Sequence, residues 1–125
     1  MTGNGIRVLE NRDRLFIDTL QSLGVRRQEA VLVVWLNGAG GVSSKDIEQG
    51  TGLRQSDVSR VLKAMQKNGW VGILGTYSSA KGRPRKIYSL SASLEEIVRY
   101  YGQKRLRESA LAMGSIRRLK ELALA

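Results

Sequence analysis

Arg54, Gln55, Ser56 and Ser59 stand together in a stretch that continues through Arg60, Lys63 and Lys67, and Lys81, Arg83, Arg85 and Lys86 follow shortly after. Side chains of these types do chemistry with nucleic acid. Arg pairs bidentately with guanine, Gln pairs with adenine, and further cations neutralise backbone phosphates. Between residues 54 and 90 those eight bases face a single acid, Asp57. Residues 1–53 carry six bases (Arg7, Arg12, Arg14, Arg26, Arg27, Lys45) and six acids, and residues 91–125 carry seven and four. The formal charge of +10 is therefore concentrated in one contiguous third of the chain, the distribution expected of a polyanion-binding surface. A solvated face that keeps the protein soluble is the competing reading.

What is missing narrows the chemistry further. The chain has no His and no Cys, which removes imidazole and thiolate metal sites, cysteine nucleophiles, Ser-His pairs, disulfides and the usual neutral-pH proton shuttle. Gly38-Ala39-Gly40-Gly41 lacks the Lys-Ser/Thr that completes a phosphate-binding loop. Glu95 and Glu96 are adjacent and fall on different helix faces, where capping and the helix dipole explain them better than acid–base work. No enzymatic activity, metal or cofactor is expected. The 125 residues, 42% hydrophobic and 26% charged, suit one globular domain. No run of about 18 apolar residues occurs, and MTGNGIRVLENRDR has none behind its charges, so neither a membrane span nor a signal peptide is expected and the reading is cytoplasmic.

The elements that must position the cations can be read from periodicity and punctuation. Arg12 to Leu23 predicts a helix with Phe16, Leu20 and Leu23 on one face, ended by Gly24 and lying outside the main motif. Ala30 to Leu36 is a continuous apolar run that periodicity cannot assign; length and the polar lead-in favour a helix over Arg26 to Asn37, buried on most sides. After Gly38, Gly40 and Gly41, the residues Ser43, Ser44 and Lys45 offer a helix cap and a phosphate contact before a short helix around Lys45 to Gln49, and Gly50-Thr51-Gly52 reads as a turn. Gln55 to Asn68 has Val58, Leu62 and Met65 on a core face and the polar and basic side chains elsewhere, with Gly69 as its stop. Trp70 to Thr76 and Lys86 to Leu90 read as two strands joined by a basic loop. Ser93-Leu94-Glu95-Glu96 matches a capping box and opens a helical segment, one kinked helix or two, that runs nearly to residue 125.

Short helix, glycine turn and a helix with a basic outer face form a helix-turn-helix, and the hairpin behind it makes a wing. With these residues in view, IEQGTGLRQSDVSRVLKAMQKNGWV (Ile47 to Val71) resembles the winged helix-turn-helix of MarR, ArsR and TrmB-type regulators in the spacing of Ile47, Gly52, Leu53, Val58, Ser59, Leu62, Met65, Gly69 and Val71. LGVRRQEAVLVVWL looks like the preceding helix of archaeal TrmB-like regulators, and KGRPRKIYSL is similar to their wings. Around Arg83 the wing also resembles the Arg-Gly-Arg-Pro core of AT-hooks, with Lys81 in place of the first Arg. Two departures stand out. Glu48 occupies a position where the family usually has a small residue. About 35 residues follow the motif where TrmB proteins carry a large sugar-sensing domain, so no effector follows from the likeness.

The resemblance implies a mainly α fold with a small β-hairpin: a winged helix-turn-helix with an added N-terminal helix and a long C-terminal helix. Its parts would be an N-terminal arm and helix (1–24), the DNA-binding domain (25–91) and a C-terminal dimerisation segment (92–125). It implies a sequence-specific transcription regulator in an archaeal cytoplasm, with double-stranded DNA as partner. Arg54, Gln55, Ser56 and Ser59 would read base edges in the major groove, Arg60, Lys63 and Lys67 would hold phosphates, and Lys81, Arg83, Arg85 and Lys86 would enter the minor groove. A homodimer is expected through Leu94, Ile97, Val98, Tyr101, Ile116 and Leu119. Two other readings stay open: a winged-helix module that docks on an acidic protein partner, and an architectural or RNA-binding protein that uses charge without reading sequence.

Overall fold

The computed structural model describes residues 7–77 and 84–125. In chain order these form α1 (Asn11–Ser22), α2 (Arg27–Asn37), α3 (Ser44–Thr51), α4 (Gln55–Lys67), β1 (Val71–Tyr77), β2 (Arg85–Leu90) and α5 (Leu94–Leu124).

The ambiguous apolar run is a helix, and its whole circumference is used. Every side chain from Ala30 to Leu36 in α2 is buried, because α1, α3, α4, β2 and α5 all pack against it. A strand could not be covered from so many directions by helices; a buried helix can. The N-terminal helix, expected outside the main motif, shares its core. Ile17 and Leu20 of α1 enter the same core as Leu32, Ile47, Val58, Val61 and Ile97. Chain reversals after α1, α3 and α4 fall at Gly24, Gly52 and Gly69, whose φ angles of 96°, 76° and 77° suit a residue without Cβ.

Gly50 overturns the turn expected at residues 50–52. It lies inside α3, where a Cβ would strike the six-membered edge of the Trp35 indole. The glycine is there for close approach of α3 to α2, so it does not break the helix. Trp35 cannot move aside, being buried and held by its Nε1–H, which donates to the Arg7 carbonyl at 2.9 Å. Arg7 is itself anchored to Asp13 of α1 by an ion pair of 3.3 Å.

Strands β1 and β2 pair antiparallel, Val71 opposite Leu90 and Ile73 opposite Tyr88, with a register shift between Ile73 and Gly75 that leaves Leu74 as the extra residue. Val42 adds a single bridge to Tyr88, through reciprocal bonds of 2.9 and 2.7 Å, and so ties the α2–α3 loop to the hairpin. The C-terminal segment is one α-helix of 31 residues. Of the capping box at its start only the forward half is made, the Ser93 hydroxyl accepting from the Glu96 N–H at 3.1 Å. Beyond Tyr101 no residue of α5 is buried.

Gly50→Ala decides between two opposing effects. Helix propensity favours Ala by about 1 kcal/mol, and overpacking against a fixed ring costs about 1–3 kcal/mol. Urea denaturation is therefore expected to show a net loss for Gly50→Ala and a gain for Gly114→Ala, which has open space around it. A second expectation concerns acid. The Glu10 N–H donates to Asp13 at 2.9 Å, and this bond, with the Arg7 charge, holds the Asp13 carboxyl below its ordinary 3.8. A depressed carboxylate stabilises the fold above its unfolded value and ceases to do so as pH falls through the folded one. Asp13→Asn should accordingly melt below the wild type at pH 7, and the two melting temperatures should converge when the pH is lowered below 3.8.

Candidate nucleic-acid interface

Helix α3 starts on a complete capping box. The Ser43 hydroxyl accepts from the Asp46 N–H at 3.2 Å and the Asp46 carboxylate accepts from the Ser43 N–H at 2.9 Å. Ser43 is buried, and its hydroxyl is committed to this cap; of the trio proposed for capping and phosphate contact, only Ser44 and Lys45 are exposed. At the far end the Thr51 hydroxyl donates to the Ile47 carbonyl (2.6 Å) and accepts from the Leu53 N–H (3.2 Å), while the Gly52 N–H donates to Glu48 (2.9 Å). These bonds fix the turn and leave Leu53 partly buried against the core. Glu48, the residue out of keeping with the resemblance, is half-buried.

The turn delivers α4 with one face in the core and the other in solvent. Val58, Leu62 and Met65 are buried, as the spacing predicted, and Val61 is buried beside them. Gln55, Ser56, Ser59, Arg60, Lys63, Gln66 and Lys67 are exposed. Arg54, the residue that caps α4, is exposed as well and makes no capping bond through its side chain. The lone acid of this region, Asp57, is partly buried and pairs with Arg60 one turn on at 3.2 Å. With Arg60 nearly half exposed this is a weak surface pair, so its guanidinium can turn to a phosphate at little cost. A helix about 10–12 Å across matches a major groove about 12 Å wide.

On the hairpin, Arg85 and Lys86 are exposed at the start of β2. Lys81 and Arg83 lie outside the described residues. Among the described residues no cluster of three His, Cys, Asp or Glu side chains could hold a metal, and no helix is long and apolar enough to cross a membrane.

The residues assigned to a dimer interface divide into two groups. Ile97 and Tyr101 are buried within their own chain, where they pack in the domain core, and Leu94 is partly buried against the same core and keeps an exposed part. Their spacing showed an apolar face but could not show what covers it. Val98, Ile116 and Leu119 are exposed, and with them are Leu106, Leu111, Met113, Leu122 and Leu124, which the sequence reading did not single out. Their signal was present as Met113, Ile116, Leu119 and Leu122, apolar residues three apart. A contact with no local signal is the Tyr101 hydroxyl donating to Glu29 of α2 at 3.0 Å, 72 residues away. Burial and the facing carboxylate push the Tyr101 hydroxyl far above its ordinary pKa, so it remains a donor. Between α1 and α5 runs an apolar groove of about 400 Å³ lined by Leu15, Phe16, Leu20, Leu23 and Val98, with Arg12 and Thr19 at its rim.

The MarR family model matches residues 23–72, the span from the end of α1 into β1. No curated protein matches the chain in sequence. Among solved structures, a possible transcriptional regulator from Methanosarcina mazei superposes with a TM-score of 0.52 at 17% identity, over 94% of this chain and 98% of that one. A MarR family regulator from Neisseria meningitidis gives 0.48 at 16%, over 89% and 87%. The homodimeric winged helix-turn-helix DNA-binding domain of a possible ArsR-family regulator from Mycobacterium bovis gives 0.40 at 18%, over 82% and 90%. The helix order and the hairpin are those of a winged helix-turn-helix fold, and residues 23–72 are similar to the MarR family.

Proposed function

We propose that the protein is a sequence-specific regulator of transcription that binds double-stranded DNA as a homodimer. The observation that carries this reading is the outward face of α4, where Gln55, Ser56, Ser59, Arg60, Lys63, Gln66 and Lys67 are exposed opposite a face formed by the buried Val58, Val61, Leu62 and Met65. Such a helix offers donors, acceptors and cations from a packed base. Arg54, Gln55, Ser56 and Ser59, at its start, read base edges; Arg60, Lys63 and Lys67 hold phosphates on the flank. Lys45, beside the α3 cap, adds a further phosphate contact. Arg85 and Lys86, with Lys81 and Arg83 of the connecting loop, serve the minor groove.

Dimerisation follows from the free half of α5. Leu106, Leu111, Met113, Ile116, Leu119, Leu122 and Leu124 are each 52–89% exposed, and at about 3.6 residues per turn they spread over more than half of the helix circumference. A stripe covered by one neighbouring helix is narrower, about 100° wide. The wide face suits two covering elements, the partner's α5 and the partner's α1 groove, brought together by a twofold axis. Two α4 helices so related would address half-sites about one helical turn apart.

Duplexes selected from a random pool provide the probe, read by fluorescence anisotropy across a salt series. Wild type should bind its selected site at least about 10³-fold more tightly than random duplex. Lys63→Ala should weaken all duplexes alike and lower the salt slope by about 1, while Gln55→Ala should lose about 1–3 kcal/mol of discrimination at one position. Failure to bind any duplex below about 10 μM at physiological salt would overturn the reading. Light scattering should give the mass of two chains. Ile116→Asp with Leu119→Asp should give one chain with an intact core, since both side chains are exposed.

A further inference from the structure

Trp70 sits where the recognition helix, the wing and the long helix meet. Its N–H donates to the Met65 carbonyl at 2.9 Å, and its own carbonyl accepts from Ser91 and Ala92 at 2.7 and 3.3 Å, just ahead of α5. The indole is buried and meets the rings of Tyr100 and Tyr101 edge-on at 5.0 and 5.5 Å. Tyr101 continues the joint to α2 through its bond to Glu29. The end of α4, both strands and the first turn of α2 are thereby referred to one point on α5, and Tyr101 is the last buried residue of that helix.

Beyond this point α5 is a lever. From residue 102 to Leu124 it extends roughly 35 Å at about 1.5 Å per residue, so a swing of about 10° moves its tip by roughly 6 Å. Duplex DNA rises about 3.4 Å per base pair, so that swing amounts to nearly two base pairs. We propose that Tyr101 and Glu29, bearing on Trp70, are positioning residues that fix the direction of α5 relative to α4 and so set the half-site spacing the dimer accepts. The spacing consequence rests on the dimeric regulator reading; the joint itself does not.

The chain has no cysteine, so Ala64→Cys on α4 and Arg118→Cys on distal α5, both exposed positions, take spin labels cleanly. Labelled chains diluted into excess unlabelled protein report only distances within one chain, whatever the oligomer. Pulsed electron resonance should give one narrow distance in the wild-type background and a distribution wider by several ångström with Tyr101→Phe, which keeps the ring packing, and with Glu29→Ala. Glu29→Gln, whose amide oxygen still accepts the bond, should restore the narrow distribution. Widths in Tyr101→Phe and Glu29→Ala equal to wild type overturn the joint. Random-pool selection tests the consequence: paired half-sites at one spacing for wild type and Glu29→Gln, and at several spacings for Tyr101→Phe. A single retained spacing in Tyr101→Phe overturns the spacing role. Selection of unpaired half-sites by wild type overturns the dimeric reading, and the spacing role with it, while the intrachain distances still decide the joint.

Discussion

The fold depends on complete burial of one helix. Seven consecutive side chains of α2, Ala30 to Leu36, are buried, and a helix buried on all sides must be surrounded before it is stable in water. Each element that covers it thereby acquires a fixed place. Helix α3 approaches closely because Gly50 presents only hydrogen to the Trp35 ring, and α4 is placed through Val58, Val61, Leu62 and Met65. The exposed orientation of the α4 cations is a consequence of that packing: four buried apolar residues on one side of a helix leave the opposite side no direction but outward.

Electrostatics shaped the same surface by omission. Within residues 54–90 the only carboxylate is Asp57, and it is placed one turn from Arg60, where the two charges satisfy each other. A second acid on this face would set repulsion against every phosphate approached. Three acids elsewhere have structural work: Asp46 caps α3, Asp13 closes the first turn of α1, and Glu29 receives Tyr101. The segregation of charge visible along the chain thus leaves these framework acids outside the basic stretch.

Local pattern revealed much of this, and its limits are physical. Periodicity showed the buried face of α4 because that helix has two unlike sides, and glycines marked Gly24, Gly52 and Gly69 correctly because backbone sign is a local property. Gly50 was misread as a turn because an intrahelical glycine and a turn glycine look alike until the neighbouring Trp35 is placed. Ile97 and Tyr101 were assigned to a partner because an apolar stripe records that something covers it and not whose surface that is. The bond from Tyr101 to Glu29 and the bridge from Val42 to Tyr88 join residues far apart in sequence, and no periodicity encodes such pairs. In the candidate site, residue types were legible from composition and the serine cap ahead of α3 from its local sequence, and Ser43 makes that cap; that the cap buries Ser43 was not legible.

The free half of α5 can stand as a helix without tertiary support. Residues 103–124 are rich in Leu, Ala, Arg, Lys and Glu, all strong helix formers, and their number exceeds the roughly 12–15 residues below which isolated helices are marginal. Secondary structure is therefore preformed where seven large apolar side chains from Leu106 to Leu124 are exposed, and little conformational entropy remains to be lost when that surface is covered. A disordered tail of the same composition could cover a partner too, but it could not transmit direction. Because the helix runs unbroken from the Trp70 joint to Leu124, any restraint on its outer half is felt as an angle at the recognition helix, which is what coupling between assembly and DNA spacing requires.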